Sequence, residues 1–426
     1  MSNRRPAMNN SITTLAIAMA LLSLTAAGCG SPARVAIAQS ARPRETSPGV
    51  TNAALSELSA GNSAFAFDLY QAIRTEDGNL FYSPYSLSIA LAMTYAGARG
   101  ETERQMAETF HYSLPQDRLH PAFNALDLKL TAQDKKSFEL KTANSVWAQA
   151  DYDFLPDYLD ALAENYGAGL RLVDFVDQGE QEKSRVAIND WVSEQTEDKI
   201  QDLLAPGILT KMTRLVLANA IYFKAEWETP FLNGTNDGEF TLLNGDKVTV
   251  PMMSRRAETR HAEGDGYQAV EIPYKGDRIR MIILLPTLGQ FEAFEQSLDN
   301  ERLNAILESL TPTDVKLFMP KFQYAATLPL EDTLSEMGMP DAFTPFVADF
   351  SGLDGTHDLY LSHVVHKAFV AVDEMGTEAA AASGVVAEIV SLPIYVTLDR
   401  PFIFVIRDLE TDAILFIGRV LNPATL

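Results

Sequence analysis

Enzymes that transfer or hydrolyse groups need a nucleophile, a base to activate it and a partner to orient the base. This chain of 426 residues holds six histidines and one cysteine. It shows no Gly-x-Ser-x-Gly elbow, no His-Glu-x-x-His pair and no Gly-x-x-x-x-Gly-Lys-Ser/Thr phosphate loop. His363 and His366 lie three apart on a strand-like run, too thin a spacing to be read alone as a metal site. The sequence therefore predicts no enzyme, no cofactor and no metal.

A different capability shows near the C-terminus, in Glu374-Met-Gly-Thr-Glu-Ala-Ala-Ala-Ala-Ser-Gly-Val-Val-Ala-Glu-Ile-Val-Ser391. No proline occurs from Gly376 to Ser391, and proline is what bars a segment from the middle of a sheet. Written as a strand, alternate side chains face opposite ways. One face is Thr377, Ala379, Ala381, Ser383, Val385 and Ala387. The other is Glu378, Ala380, Ala382, Gly384, Val386 and Glu388. Both charges fall on the second face, and the first is small and uncharged. The segment can enter a sheet with one face on a core, yet it has too few bulky apolar groups to be an obvious strand at rest. Its composition also fits a flexible alanine-rich linker or a short helix, since alanine is the best helix former. A segment able to be loop or strand is a candidate switch.

Such a strand needs a sheet to receive it. The chain is 46% hydrophobic and 9% aromatic, enough for a large core. Apolar spacing predicts helices over 53–74, 85–98 (capped by Ser83-Pro84), 184–204 and 291–310. Short β-rich runs follow at 214–223, 247–253, 267–274, 278–285, 315–324 and 414–420. Helices early, strands late and no regular βαβ alternation point to α+β. No repeat and no second linker appear, so 53–426 reads as one domain. The formal charge of −23 argues against a nucleic-acid binder, and against docking on anionic membranes or polyanions through a basic patch.

Residues 1–29 read as an export signal: Arg4 and Arg5, an apolar stretch from Ile12 to Ala27, then Leu24-Thr-Ala-Ala-Gly-Cys29. That ending resembles a bacterial lipobox with Cys29, the only cysteine, as the lipidated residue. Ordinary signal cleavage after Ala36-Ile-Ala38 is the competing reading. Either leaves a mature protein without a disulfide, exported to the cell envelope or the medium. Residues 30–52, rich in Ser, Pro, Ala and Arg, read as a disordered tether.

Several motifs, in order, resemble those of the serpins. They are Asn79-Leu-Phe-Tyr-Ser-Pro-Tyr-Ser86, Asn144-Ser145 before a strand, Asn219-Ala-Ile-Tyr-Phe-Lys-Ala-Glu-Trp227 with Phe231, and Val250-Pro-Met-Met-Ser254. Met319-Pro-Lys-Phe322, Gly338-Met339 with Ala342-Phe343, and Ala348-Asp-Phe-Ser-Gly-Leu353 continue the series. Val364-Val-His-Lys-Ala368 leads into the alanine-rich hinge, and Val396-Thr-Leu-Asp-Arg-Pro-Phe402 with Ile403-Phe-Val-Ile406 matches the C-terminal signature. The resemblance covers about 53–426. Ala225, where glycine is usual, is a visible departure, expected to alter one turn.

The resemblance implies a fold of helices packed around three β-sheets, with a reactive loop over about 374–395 exposed as bait. A target serine protease would attack the loop, form an acyl-enzyme, and be trapped when the cleaved loop inserts into the large sheet. Counting along the loop by the family's pattern places the cleaved bond between Val390 and Ser391, and a shift of one moves the bait residue to Ile389 or Ser391. The hinge is Glu374, Gly376, Thr377, Glu378, Ala379, Ala380, Ala381 and Ala382. Gly376 would supply a permissive backbone, Thr377 would enter first, and Glu374 would pair near the top of the sheet. Ser83, Ser86, Asn219 and His366 would form a buried polar cluster under the opening, though His366 also reads as a satisfied core histidine. Trp227 is either plain packing or the aromatic guarding the insertion point. A valine bait suits an elastase-like pocket. Subtilisin-like and papain-like proteases share that preference. A trypsin-like pocket needs a basic bait, and no Lys or Arg lies between Lys367 and Arg400. The expected partner is thus a protease, met by a monomer. The alternative is a non-inhibitory serpin-fold binding protein or a passive substrate.

Overall fold

The structure, a computed structural model, describes residues 33–131, 138–377 and 392–424. Its helices are α1 (Asn52–Ile73), α2 (Pro84–Tyr95), α3 (Gly100–Thr109), α4 (Gln116–Thr131), α5 (Pro156–Tyr166), α6 (Gln178–Gln195), α7 (Phe291–Gln296), α8 (Asn300–Ser309), α9 (Glu331–Met337) and α10 (Ser351–Asp354). The strands are β1 (Ala36–Ala38), β2 (Leu80–Tyr82), β3 (Phe138–Gln149), β4 (Leu170–Val173), β5 (Leu215–Glu226), β6 (Thr235–Thr241), β7 (Lys247–Gly264) and β8 (Tyr267–Pro273). They continue as β9 (Ile279–Pro286), β10 (Thr311–Pro320), β11 (Phe322–Pro329), β12 (Leu361–Val372), β13 (Gly376–Thr377), β14 (Ile394–Thr397), β15 (Phe402–Asp408) and β16 (Ile414–Val420). The fold is α+β.

Among the described residues, a seven-stranded sheet runs β1-β4-β3-β5-β13-β12-β11, and a nine-stranded sheet runs from β14 through β10, β7, β8, β9, β15 and β16 to β2, with β6 on β7. The seven-stranded sheet is covered on both faces, and the alternation of its strands shows how. On β5, Leu215, Leu217, Ile221 and Phe223 join the main core. Val216, Ala218 and Ala220 face a second cluster with Ile188 and Val192 of α6. Asn219 falls on the main-core side, and so does His366 between Val364 and Ala368 on β12. These polar exceptions mark the site.

Helix α2 starts where Ser83-Pro84 predicted. Pro84 takes the first turn, and the Ser83 side chain accepts from the Ser86 amide at 3.1 Å. All twelve residues of α2 are buried, as a helix apolar on every side must be. Other expectations are corrected. The helix expected over 184–204 runs instead from Gln178 to Gln195, because Thr196 bonds back to the Val192 carbonyl and Glu197 and Asp198 take left-handed backbone. The helix expected over 291–310 is two, restarted by Asp299, which caps α8. The strand expected over 315–324 is also two. The chain leaves the nine-stranded sheet at Pro320 and enters the seven-stranded sheet at Phe322, so Lys321 sits at the crossing. Asn144 and Ser145 lie within β3, not before a strand. Ala225 is buried in β5 rather than in a turn.

The tether expected over 30–52 is corrected for its described part. Residues 36–38 add an antiparallel strand to the free edge of β4, with Ile37 opposite Arg171. Arg42 pairs with Asp160 (3.0 Å) and Glu164 (2.7 Å) of α5, and Arg44 pairs with Asp127 of α4 (2.6 Å). The reading from composition missed this because the two arginines find carboxylates that are remote in sequence.

Candidate functional site

The seven-stranded sheet has a seam at its centre. Strands β5 and β12 run parallel, joined from Leu215 to Tyr222 against Leu361 to Phe369. Their inner neighbours on either side, β3 and β11, are antiparallel to them. Beyond Tyr222 and Phe369 the pair separates, and β13 lies in the gap. Gly376 is opposite Glu226, Thr377 opposite Ala225 on one side and Val372 on the other, all antiparallel. A strand leaving β12 through a tight turn runs antiparallel to both walls of the seam. Its entry would exchange one parallel ladder for two antiparallel ones, and parallel pairing is the slightly weaker kind per residue.

The turn is held by Asp373. Its carboxylate accepts from the amides of Met375 (2.8 Å) and Gly376 (3.2 Å), and its own amide donates to the Gly376 carbonyl at 2.9 Å. Trp227 sits over the turn. Its amide donates to the Met375 carbonyl (2.8 Å), its indole N–H donates to the Asp373 carbonyl (3.0 Å), and its ring stacks on Tyr274 at 4.4 Å. Trp227 thus packs on the turn and bonds to it at the same time. Phe231 adds an amide bond to the Glu374 carbonyl at 2.7 Å.

Thr377 is 1% exposed, and its hydroxyl is 2.7 Å from the Tyr274 hydroxyl. Burial pushes the Tyr274 phenol well above its ordinary range, so it stays a neutral partner. At Gly376 the structure adds a steric requirement to the permissive backbone expected of it. Its φ is not left-handed. It is glycine because a Cβ there would lie 2.0 Å from the Ala225 carbonyl oxygen. Glu374 finds its partner in Lys321, whose Nζ donates at 2.8 Å, and in Thr235, whose hydroxyl donates at 2.6 Å. Burial opposes the Glu374 charge, and these bonds overcome it and hold the carboxyl below its usual range. Lys321 is where the chain crosses between sheets, so this pair ties the hinge to that crossing.

Below the seam lies a polar cluster. Asn144, Asn219 and His366 stand abreast on β3, β5 and β12, directly over the start of α2. The Ser83 amide donates to His366 Nε2 at 3.1 Å. That leaves the proton on Nδ1, which donates to Asn219 Oδ1. Asn219 Nδ2 donates to the Ser86 hydroxyl (2.8 Å), the Ser86 carbonyl (3.0 Å) and Asn144 Oδ1. The Ser86 hydroxyl also donates to Asn144 at 3.0 Å. Burial pushes His366 down to about 3, so the ring is neutral, as a single-proton tautomer requires. Every member is bonded, which a buried polar network must be. The bond from His366 to Asn219 and the one from Asn219 to Asn144 cross between strands, and the one from His366 spans the seam itself.

Ser83, Ser86, Asn219 and His366 are thus brought together, while Trp227, Glu374, Gly376 and Thr377 gather at the seam's open end. Glu378, Ala379, Ala380, Ala381 and Ala382, the bond Val390–Ser391 and Cys29 lie outside the described residues. Sequence reasoning missed Asn144 as a member of the cluster, though an asparagine on the inward face of an apolar strand was the available signal. It also missed Tyr274, Asp373, Thr235 and Lys321, which no local pattern marks. His363, the other half of the histidine pair, bonds Glu331 at 2.9 Å, and among the described residues no cluster of His, Cys, Asp and Glu could hold a metal.

The loop's described flanks end in different sheets, Thr377 in the seven-stranded one and β14 at the edge of the nine-stranded one, with Leu392 fully exposed between the loop and β14. A family model for Serpin (serine protease inhibitor) matches residues 60–423. A serpin-like protein of Thermococcus kodakarensis is 40% identical over 367 residues, 85% of this chain and 84% of its own. Leukocyte elastase inhibitor A of Mus musculus is 39% identical over 387 residues, 87% of this chain and 100% of its own. The solved structure of human thyroxine-binding globulin matches with a TM-score of 0.79 at 32% identity, covering 87% of this chain and 100% of that one. With this seam, this hinge and these relatives, the chain belongs to the serpin family.

Proposed function

We propose that this serpin is an inhibitor that traps a serine protease with a small apolar primary pocket, elastase-like in kind, by loop insertion. The observation that carries the reading is β13: the first two residues of the small-residue run already lie antiparallel between β5 and β12. The protease serine attacks the Val390 carbonyl, the bond to the Ser391 nitrogen breaks, and that nitrogen leaves with a proton from the protease's own base. The chain up to Val390, now free at one end, continues the path β13 has begun and draws the ester-linked protease with it. Deacylation stalls if insertion is the faster step. This chain performs no catalysis of its own, and it needs no cofactor.

The elastase-like target is supported by the absence of Lys and Arg between Lys367 and Arg400 and by the name of the mouse relative. Export through residues 1–29 is part of the proposal. Cleavage before Cys29, with the lipid on that cysteine, is favoured over cleavage after Ala38, because the latter would remove the strand that completes the edge of β4.

The test is incubation of the mature protein with pancreatic elastase, followed by a denaturing gel and mass spectrometry. The reading predicts an adduct that survives denaturant and a released peptide beginning at Ser391. Clean cleavage with full elastase activity, repeated with a subtilisin-like and a papain-like protease, would instead make the protein a substrate or a binding protein.

A further inference from the structure

The edge strand β1 shows where the chain enters the body. Ala36 is opposite Leu172 of β4, Leu172 is opposite Ala148 of β3, and Ala148 is opposite Leu215, the first residue of β5. Ala33, Arg34 and Val35 therefore lie at the end of the seven-stranded sheet where β5 and β12 begin. The hinge lies at the other end, with Gly376 and Thr377 opposite Glu226 and Ala225. From Leu215 to Ala225 along β5 is about 33 Å at 3.3 Å per residue.

The entry end carries apolar side chains in the open. Val176 follows β4, Met212 precedes β5, and both are exposed, as is Val35. The segment from Leu330 to Tyr360 leads from β11 to the start of β12 at this end. Its Leu353 carbonyl accepts from the amide of Leu155 at 2.7 Å, in the loop that leaves β3 at the same end. Within the segment Phe346 is 80% exposed and Val347 53%.

Phe346 is also strained. The Val347 amide donates to the Thr344 carbonyl at 3.2 Å, closing a turn with Pro345 second and Phe346 third. Phe346 takes a φ of 63°, left-handed backbone that glycine adopts freely and a bulky side chain rarely does. An aromatic ring that is neither buried nor at ease on its backbone marks a contact surface. Charge does not draw this end to an anionic partner, because Arg34 and Lys211 stand among Asp151, Asp153, Asp177 and Asp358, all exposed.

Cys29 is four residue steps before Ala33, a reach of at most about 14 Å. A lipid on Cys29 therefore brings a bilayer to the entry end and not to the hinge end. We propose that the lipidated protein stands on the membrane at its entry end, with Phe346 and Val347 in the lipid interface and the hinge held about 30 Å above it, facing the medium. A lipid chain alone holds weakly, and a second contact makes the attachment stable; the Phe346 turn supplies it. This orientation rests on the lipid on Cys29 proposed above and does not need the protease trap.

The full chain is purified from the membranes of an exporting bacterial host, and mass spectrometry reads its N-terminal peptide first. An unacylated N-terminus would overturn the anchor, and the orientation with it. The acylated protein is placed in phosphatidylcholine vesicles with and without bromine on the acyl chains, as Phe346→Trp and as Leu232→Trp. Leu232 is exposed beside the hinge, next to Phe231, whose amide bonds Glu374. The three native indoles give the background, measured on the parent. Bromine should abolish the added emission of Phe346→Trp and leave that of Leu232→Trp. Any other pattern on acylated protein overturns the orientation while leaving the anchor in place. A second measurement needs no tryptophan variant. Amide exchange over 344–348 should slow on vesicles relative to the unlipidated Cys29→Ser chain, and exchange over 231–235 should not. Protection of 344–348 that instead grows with the concentration of the Cys29→Ser chain alone would assign the turn to a second copy and overturn the proposal.

Discussion

Replacing Thr377 with arginine tests the insertion step without touching the bait. Thr377 is 1% exposed and shares a hydrogen bond with Tyr274 in the gap between β5 and β12. An arginine there must either bury its charge, at several kcal/mol, or keep β13 out of the sheet. The second course loses the Thr377–Tyr274 bond and leaves a buried phenol unpaired, about 1–3 kcal/mol, together with the antiparallel pairing already made. Taking about 3 kcal/mol onto the insertion barrier slows that step roughly a hundredfold. On the proposed mechanism, attack at Val390 should be unaffected, since the bait is remote in sequence, so cleavage should continue while trapping fails. The assay titrates residual protease activity against inhibitor and counts cleaved chain per adduct. Thr377→Arg should turn most encounters into plain cleavage, and Thr377→Ser, which keeps the hydroxyl, should trap nearly as well as the parent. An unchanged stoichiometry for the arginine variant would refute the claim that β13 starts insertion.

Gly376→Ala should also impair trapping, because the new methyl would meet the Ala225 carbonyl at 2.0 Å; native-state hydrogen exchange should show faster exchange at the Thr377 amide, and no change would contradict the close-approach argument. Acid should destabilise the fold. His366 and His120 are held by burial at about 3 and about 4, against 6.5 when unfolded. The unfolded chain therefore binds protons that the folded one refuses, and stability is lost as pH falls below about 6.5. The slope is at most about 1.4 kcal/mol per pH unit for each ring; urea midpoints from pH 7 to 5 should fall, and His366→Gln should roughly halve the slope. Lys321→Ala breaks a pair with partly exposed side chains, so its effect on the urea midpoint should correspond to less than about 1 kcal/mol. Removing residues 1–51 should lower the melting temperature by several degrees, since it strips β1 and the Arg42 and Arg44 pairs; a tether without structure would leave the melt unchanged.

Much of the fold was legible because its signals are local. Ser83-Pro84 announces α2, and the run Ile414 to Val420 is strand β16 to the residue. The serpin motifs carried the order of the rest. What stayed hidden depends on contacts distant in sequence. The crossing at Lys321 looks like continuous strand until one sees that its halves pair with different sheets. Glu374 could be assigned a partner but not Lys321 or Thr235, and Arg42 and Arg44 looked like tether residues because Asp160, Glu164 and Asp127 are far along the chain. The close approach of Gly376 to the Ala225 carbonyl could not be seen in the sequence, since it depends on packing against β5.

The central claim is that the β5–β12 seam accepts the cleaved loop. It is tested most directly by cutting the loop with a broad-specificity metalloprotease, which forms no acyl-enzyme and so cannot be trapped, and melting the product. Roughly ten newly paired residues at about 1 kcal/mol each contribute on the order of 10 kcal/mol, which at about 1 °C per kcal/mol for a domain of this size raises the melt by about 10 °C. A cleaved protein that melts well above the intact one is the predicted result. One that melts at or below it would mean that the seam stays shut and that the loop is only a site of cleavage.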